Sequence, residues 1–418
     1  MHVVVAGQGY VGLPLAVRAA EVGHRVVGYD VDRHRVQQLA TGESYVEDVA
    51  PARLRAVLNS GAYSVTAEAG GLAQFDLAVI TVPTPLRDGV PDLTCIESCA
   101  HTLGEHLRPG ATVVLESTTY PGTTEELMLP ILEKASGLIS GADFHVGFSP
   151  ERIDPGNKKW PFDKTPKVVA GIDAASLDVV RGFYDDLVET TVPVSGTKVA
   201  ELTKLIENIF RHVNIALVNE MAMLAKSLNV NIWEAIDAAA SKPFGYMPFT
   251  PGPGVGGHCL PIDPSFLSWK VERTVGVPFR FVELANDVNN HMPDYVVRRL
   301  MEAFNTRRMA VSGSRVLLLG LAYKANTADA RESPSARVAD LLFDLGAEVR
   351  GADPHVVDDI RTEARLIRVE ATAEEIAASD AVVLLTDHAG FDYEVVLEHA
   401  PYVLDCRNRL SGANVEVL

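Results

Sequence analysis

Gly7-Gln8-Gly9-Tyr10-Val11-Gly12 is the stretch that decides the fold. It stands between a predicted strand, His2 to Ala6, and a predicted helix, Leu13 to Val22. A second strand follows from Arg25 to Tyr29, and Asp30 ends it. A glycine turn between a strand and a helix, with an acid after the next strand, is typical of a dinucleotide-binding βαβ unit.

Each glycine of this turn has a separate task. Gly7 permits the tight turn, Gly9 lets a pyrophosphate approach the backbone, and Gly12 lets the helix pack against the strand. Tyr10 and Val11 complete the turn, and we include them among the cofactor-binding residues.

Asp30 predicts which dinucleotide binds. A carboxylate there accepts a hydrogen bond from a ribose hydroxyl and repels a 2′-phosphate, so NAD is favoured over NADP. Arg33 follows closely, either to stack on the adenine or as a solvated helix residue.

Strand and helix signals continue along the chain and predict an α/β fold with a parallel, doubly wound sheet. Further strands are expected at 77–82, 112–116, 144–148 and 167–171, and the alternation returns from Arg315. We therefore predict an N-terminal Rossmann domain (1–197), a central long-helix dimerisation domain (198–300) and a C-terminal Rossmann-like domain (301–418).

A long amphipathic helix is predicted between Lys198 and Leu228. Apolar residues recur along one stripe of it, at Val199, Leu202, Leu205, Ile206, Ile209, Val213, Leu217 and Met221. Such a stripe indicates a homodimer surface, although a buried single helix carries the same pattern.

Composition limits the class of partner. The 37 basic and 55 acidic residues give a formal charge of −18, which disfavours nucleic acid and anionic membranes as partners. Four cysteines are too few for a disulfide framework and favour a reducing cytoplasm. The sequence shows no targeting signal, and no apolar stretch is long enough to cross a bilayer.

Two loops follow predicted strands, where open α/β sheets bind their ligands. One contains Pro83 and Thr84 and the other contains Thr118, and we include all three among the cofactor-binding residues. Proline after a strand is also common in loops that bind no ligand, so position alone does not decide the role of these residues.

The segment from Gly252 to Pro264 is rich in glycine and presents Cys259, with Asp263 four residues later. A nearby cation such as Lys204 favours the thiolate of a nucleophilic cysteine. A small buried thiol is the alternative. His258 is adjacent to Cys259, and because adjacent side chains diverge we do not assign it as the base.

Two further features carry polar groups. Lys204 and Asn208 are one turn apart on the long helix, facing either a cleft or a solvated edge. Lys324 and Arg331 lie in a loop between a strand and a helix, with Ser333 as the expected N-cap before Pro334. These cations suit phosphates or carboxylates.

Taken in order, these motifs resemble the UDP-glucose/GDP-mannose dehydrogenase family over essentially the whole chain. The most specific runs are Gly257-His258-Cys259-Leu260-Pro261-Ile262-Asp263 and Tyr323-Lys324 through Arg331-Glu332-Ser333. Members oxidise nucleotide sugars at C6 with two NAD⁺ per sugar. A non-enzymatic sugar-nucleotide sensor is disfavoured because the residues of the reaction are present.

The resemblance implies a role for each matching residue. Cys259 attacks the C6 aldehyde, a second hydride leaves the thiohemiacetal, and the thioester is hydrolysed. The other assignments are oxyanion stabilisation by Lys204 and Asn208, action on water by Asp263 and Thr118, hydrolysis of the thioester by Glu151, substrate contacts by Arg152, Gly256, Gly257 and Lys324, and a position near NAD for Arg331.

The substrate branch is indicated by departures from the UDP-glucose pattern at Ile262 and Ser149. The runs 149–157 and 242–249 resemble UDP-N-acetyl-hexosamine dehydrogenases of bacterial surface-polysaccharide pathways instead. UDP-N-acetylglucosamine is favoured; UDP-glucose or dTDP-glucose is the alternative, and UDP-N-acetylmannosamine ranks lower. A two-electron β-hydroxyacid dehydrogenase shares the first domain and long helix but needs no thiol.

Overall fold

The computed structural model describes residues 1–72, 74–87, 89–154, 157, 159–257, 260–357 and 366–418. The chain divides into two compact units, Met1–Glu207 and Asn208–Leu418. The predicted three-domain division places its first boundary ten residues earlier, at 197, and it remains a prediction.

The first unit contains a mainly parallel sheet. Its described strands are β1 (His2–Ala6), β2 (Arg25–Tyr29), β3 (Tyr63–Thr66), β4 (Leu77–Ile80), β5 (Leu86–Arg87), β6 (Val90–Pro91), β7 (Thr112–Leu115), β8 (His145–Phe148), β9 (Lys167–Gly171) and β10 (Thr191–Pro193). Among the described residues, eight of these form one sheet in the order β10-β9-β8-β7-β4-β1-β2-β3, while β5 and β6 pair as a hairpin.

Helices cover this sheet. They are α1 (Gly12–Glu21), α2 (Arg33–Ala40), α3 (Pro51–Asn59), α4 (Thr94–Glu105), α5 (Leu129–Ser136) and α6 (Ala174–Leu187), with shorter helical turns at Ala69–Leu72 and Thr124–Met128. The apolar side of α1 is fully buried against the sheet, with Leu13, Leu15 and Val17 packed in one cluster with Val3 and Val5 of β1. This packing positions the glycine turn at the carboxyl end of β1.

The helix α7 (Thr197–Ser227) contains the boundary between the units. The second unit continues with α8 (Ile232–Ala240), α9 (Asp263–Val275), α10 (Arg280–Thr306), α11 (Pro334–Asp344), α12 (Ala373–Ala377) and α13 (Tyr393–His399). Ser333 caps α11 by accepting a hydrogen bond from the Ser335 N–H, and Pro334 is its first residue, as predicted.

The second unit has its own parallel sheet. Its described strands are β11 (Arg315–Leu319), β12 (Glu348–Ala352), β13 (Ile367–Arg368), β14 (Ala381–Leu384), β15 (Val403–Asp405) and β16 (Val415–Val417), in the order β13-β12-β11-β14-β15-β16. Apolar residues of β11, β12 and β14 pack against α10 and α11 in one core. The predicted α/β fold with a Rossmann domain at each end is confirmed.

One pairing in the first sheet differs from the parallel arrangement that we predicted. β8 and β9 pair antiparallel, with Gly147 opposite Gly171. A parallel pair needs a crossover connection, usually a helix. The described residues between Phe148 and Lys167 contain no helix that could form such a crossover. β9 therefore runs beside β8 in the opposite direction.

Within the described residues, we find no helix with the length and apolarity that a membrane span requires.

Candidate active site

The glycine turn has the geometry that a dinucleotide requires. Gly7 has φ +93°, and a Cβ there would lie 2.7 Å from the Thr81 carbonyl oxygen. A Cβ on Gly12 would lie 1.8 Å from the Gly7 carbonyl oxygen, whereas one on Gly9 would meet nothing within 4 Å. The turn is therefore closed on its protein side and open at Gly9. Exposed Tyr10 and half-buried Val11 lead into α1.

Asp30 lies buried beside this turn. One carboxylate oxygen accepts a hydrogen bond from the Gln8 N–H at 2.8 Å, and the other accepts from the Asp32 N–H at 2.9 Å. These bonds fix the carboxylate at the end of β2, where a ribose hydroxyl binds in this fold. Arg33 is exposed and pairs with Glu68, so its side chain is solvated here. NAD is the cofactor that these residues fit.

The two loops after β4 and β7 are joined. The Thr84 hydroxyl, which is buried, donates to the Thr118 carbonyl oxygen at 2.8 Å, while Pro83 is exposed. Glu201 of α7 holds the segment that follows Thr118, by accepting bonds from the Gly122 and Thr124 N–H groups and from the Thr124 hydroxyl. Burial raises the pKa of Glu201 to about 7, although these donors favour its charged form.

Glu151 and Lys204 form a buried ion pair in the first unit. The Lys204 ammonium donates to the Glu151 backbone oxygen at 2.8 Å and to its carboxylate at 3.1 Å. Both side chains are less than 10% exposed. Arg152 points elsewhere, since it bonds the Pro166 carbonyl and pairs with Glu207. A fixed ammonium next to a carboxylate provides both an oxyanion donor and a proton acceptor.

Asn208 and Asp263 form the matching contact in the second unit. The Asn208 amide donates to the Asp263 carboxylate, which is the first residue of α9. Asp263 is buried, so the hydrogen bond satisfies an oxygen that water does not reach. Lys204 and Asn208 lie one turn apart on α7, and each contacts one acidic residue of the predicted site.

The glycine-rich loop before Cys259 packs closely on the loop after β11. A Cβ on Gly256 would lie 2.6 Å from the Glu332 carbonyl oxygen, and one on Gly257 would lie 2.8 Å from the Tyr323 ring. Gly257 also donates its N–H to the Arg331 carbonyl oxygen at 3.1 Å. Cys259 and His258 themselves lie outside the described residues.

The loop that contains Lys324 follows β11 directly. Lys324 is half-buried, and the Tyr323 N–H before it donates to the Asp329 carbonyl oxygen at 3.1 Å. The Arg331 guanidinium forms two hydrogen bonds with the Asp329 carboxylate, at 2.8 and 2.6 Å. A contact of Arg331 with NAD therefore remains a prediction from the family resemblance.

Sequence reasoning missed several buried polar residues that hold these loops. Glu201 is one, and Asn219 is another, because its side-chain oxygen accepts from the Gly252 N–H at 2.9 Å. His388 and Asp353 form a third contact, beneath the Lys324 loop. Asp353 and His388 follow β12 and β14, so their position at the carboxyl ends of parallel strands was the available signal.

Three successive parts of the chain match the UDP-glucose/GDP-mannose dehydrogenase family. Residues 1–188 match its NAD binding domain, residues 198–291 its central domain, and residues 317–412 its UDP binding domain.

Curated relatives match over nearly the whole length. A UDP-N-acetyl-D-mannosamine dehydrogenase of Pyrococcus horikoshii is 36% identical, covering 94% of this chain and 90% of the relative. A UDP-N-acetyl-D-glucosamine 6-dehydrogenase of Pseudomonas aeruginosa is also 36% identical, covering 94% and 91%. A solved structure of the UDP-D-ManNAc dehydrogenase from Pyrococcus horikoshii superposes with a TM-score of 0.90 at 33% identity, over 100% of this chain and 99% of that one.

Proposed function

The chain belongs to the UDP-glucose/GDP-mannose dehydrogenase family and is an NAD-dependent nucleotide-sugar dehydrogenase, and we propose that it oxidises C6 of a UDP-N-acetylhexosamine to a carboxylate. One observation carries this proposal. Successive turns of α7 present Lys204 on Glu151 and Asn208 on Asp263. Each of these two donors of α7 thus holds a carboxylate that the family resemblance assigns to the reaction.

The proposed chemistry uses these groups in sequence. NAD⁺ held by the β1–α1 turn and Asp30 would supply the hydride acceptor for each of two oxidations. The C6 alcohol loses a hydride and a proton to become an aldehyde, and the Cys259 thiolate then adds to the aldehyde carbon. The resulting thiohemiacetal oxyanion loses a second hydride to become a thioester. Lys204 and Asn208 donate hydrogen bonds to the oxygen on which negative charge develops.

Hydrolysis completes the reaction. Water attacks the thioester carbon and gives one proton to a carboxylate, and the carbon–sulfur bond breaks to release the cysteine thiolate. The carboxylic acid product then loses its proton to solvent. Asp263 and Glu151 are the acids assigned to this proton transfer, and Thr118 is assigned to hold the water. The buried ion pair keeps the Glu151 carboxylate next to the Lys204 ammonium.

Among the UDP-N-acetylhexosamines we favour UDP-N-acetylglucosamine. The similarity to the Pseudomonas aeruginosa 6-dehydrogenase supports this choice, while the departures at Ile262 and Ser149 argue against UDP-glucose. The second candidate is UDP-N-acetylmannosamine, which is supported by the equal identity to the Pyrococcus horikoshii enzyme and by the structural likeness to it. Either product would suit the surface-polysaccharide role inferred from the sequence.

A substrate panel tests the choice of sugar. Purified protein with NAD⁺ receives UDP-N-acetylglucosamine, UDP-N-acetylmannosamine, UDP-glucose or dTDP-glucose, and NADH formation is followed by absorbance. We expect the highest kcat/KM with UDP-N-acetylglucosamine. A preference for UDP-N-acetylmannosamine would select the second candidate, and a preference for either glucose nucleotide would contradict the acetamido assignment.

We further propose that the protein is a cytoplasmic homodimer. On the second-unit part of α7, large apolar side chains are 47 to 58% exposed, namely Phe210, Leu217, Met221 and Leu224. Such an exposed apolar row favours an interface with a second copy. Sedimentation velocity should give a dimer for the wild type and a monomer for Leu217→Asp; a monomeric wild type would contradict the proposal.

A further inference from the structure

A buried acid–histidine pair lies beneath the Lys324 loop in the second unit. The Asp353 and His388 side chains are fully buried, and Nε2 of His388 is 2.9 Å from Oδ2 of Asp353. The same carboxylate oxygen accepts hydrogen bonds from the Leu321 and Ala322 N–H groups, at 2.6 and 3.0 Å. Asp353 therefore connects His388 to the first residues of the loop.

The far side of the same imidazole reaches the middle of the loop. The Asn326 N–H donates to Nδ1 of His388 at 2.9 Å, and the Asn326 side-chain oxygen accepts from the Ala389 N–H at 2.8 Å. Asn326 has φ +59°, a left-handed conformation that asparagine adopts more readily than most residues with a side chain. These two bonds stabilise this conformation two residues after Lys324.

The hydrogen bonds fix the tautomer of His388. Because the Asn326 amide is a donor, Nδ1 must be unprotonated and accept. The proton of the neutral ring is then on Nε2, where it is donated to the Asp353 carboxylate. A hydrogen-bonded chain thus runs from the Leu321 and Ala322 amides through Asp353 and His388 to Asn326. It fixes both ends of the segment that contains Lys324.

The first Rossmann unit has an acid at the equivalent position of its fold. Asp30 follows β2 and accepts from the Gln8 N–H of the β1–α1 turn. Asp353 follows β12 and accepts from the Leu321 N–H of the equivalent turn after β11. In the second unit, however, the carboxylate is covered by His388 and is fully buried.

We propose that Asp353 and His388 are positioning residues that hold the Lys324 loop in the conformation that binds the UDP part of the substrate. The proposal rests on the proposed function, in which Lys324 contacts the sugar nucleotide, and the match of residues 317–412 to a UDP binding domain supports it. His388 acts through Asn326 and does not itself touch the substrate. The chain offers a matched control in His355, whose ring centroid is 5.0 Å from that of His388 but whose Nε2 has no hydrogen-bond partner among the described residues.

The test is a calorimetric titration of the full-length protein with UDP and, separately, with NAD⁺. Glutamine in place of His388 keeps an amide donor for Asp353, but it has no acceptor at the position of Nδ1 for the Asn326 N–H. We expect His388→Gln to weaken UDP binding by about tenfold or more and to leave NAD⁺ binding unchanged. In His388→Gln, KM for the sugar nucleotide should also rise while kcat changes little. His355→Gln should change neither the UDP affinity nor the NAD⁺ affinity.

Asn326→Ala provides a second variant at an exposed position, so it should fold even if His388→Gln does not. It removes the hydrogen bond from Ala389 and should also weaken UDP binding selectively. Unchanged UDP affinity in these variants, or equal losses for UDP and NAD⁺, would overturn the positioning role. A wild type that fails to bind UDP would contradict the proposed function itself, which separates the two failures.

Discussion

Two glycines of the β1–α1 turn differ in the space around them. Substitution of one should therefore affect stability, and substitution of the other should affect NAD⁺ binding. A Cβ on Gly12 would collide with the Gly7 carbonyl oxygen, while Gly9 faces open space. Gly12→Ala should therefore lower the free energy of unfolding by about 1–3 kcal/mol through overpacking. Gly9→Ala should fold normally and raise KM for NAD⁺ by about tenfold, since its methyl group enters the space of the pyrophosphate.

Thermal unfolding and NAD⁺ kinetics of the two variants measure this contrast. Equal melting temperatures for Gly12→Ala and the wild type would refute the packing argument. A Gly9→Ala variant with wild-type KM for NAD⁺ would instead show that the cofactor does not approach this backbone.

At the residue scale, the sequence identifies site residues by their type and spacing, but it does not show which of them form hydrogen bonds. The pairing of Asn208 with Asp263 joins positions 55 residues apart, and the sequence indicated both residues although not their hydrogen bond. The sequence did not reveal Glu201 or His388. A buried acid or histidine becomes meaningful only when its distant partners, such as Gly122 and Asn326, are known.

Within the first sheet, a buried ion pair joins the carboxyl end of β7 to the first residue of β9. The Lys167 ammonium is 2.6 Å from the Glu116 carboxylate, with the two side chains 5% and 0% exposed. The Tyr184 hydroxyl also donates to this carboxylate, at 2.6 Å. Glu116 directly precedes Ser117 and Thr118, so the pair lies beneath a proposed catalytic loop.

Lys167→Met should lower the free energy of unfolding by about 3–5 kcal/mol, because it leaves the Glu116 carboxylate buried without its cation. The matched control is Lys198→Met, which removes an exposed lysine that pairs with Glu126 and should change stability very little. Urea denaturation compares the two. Similar losses in both variants would contradict the role of burial.

The last strand, β16, gives the second unit a pH-dependent contact. Desolvation raises the pKa of Glu416, but its hydrogen bonds and charge attraction with Lys226 and Arg299 outweigh this effect and lower the pKa to about 2. A carboxyl whose folded pKa is lowered stabilises the fold above its unfolded pKa, and the stabilisation is lost as the pH falls towards the folded pKa.

Glu416→Gln should therefore reduce the free energy of unfolding near pH 7 by about 1–3 kcal/mol, and this difference from the wild type should disappear between about pH 4.5 and pH 2. Chemical denaturation at a series of pH values checks it. A difference that is constant over this range would mean that the charge of Glu416 does not contribute.

At the element scale, hydrophobic patterns predicted the major strands and helices well. They did not show which neighbouring strands pair antiparallel. The core strands β1 and β2 have the predicted bounds, because continuous apolar runs identify buried parallel strands. The antiparallel pairing of β8 with β9 was missed, since it depends on the path of the connection between them and not on the residues of either strand.

For the whole molecule, the sequence was sufficient for the architecture and the cofactor, because two α/β halves and one complete dinucleotide turn are local patterns. It was not sufficient for the sugar. The discrimination of an acetamido group from a hydroxyl depends on pocket residues brought together from distant segments, and relatives of equal identity act on different UDP-N-acetylhexosamines.

The central claim is that one active site performs both oxidations through Cys259, and the number of NADH molecules formed per sugar consumed tests it most directly. With the preferred nucleotide sugar in limiting amount and NAD⁺ in excess, the account predicts two NADH per sugar for the wild type and at most one for Cys259→Ser. One NADH per sugar in the wild type, or two in the variant, would contradict the thioester mechanism.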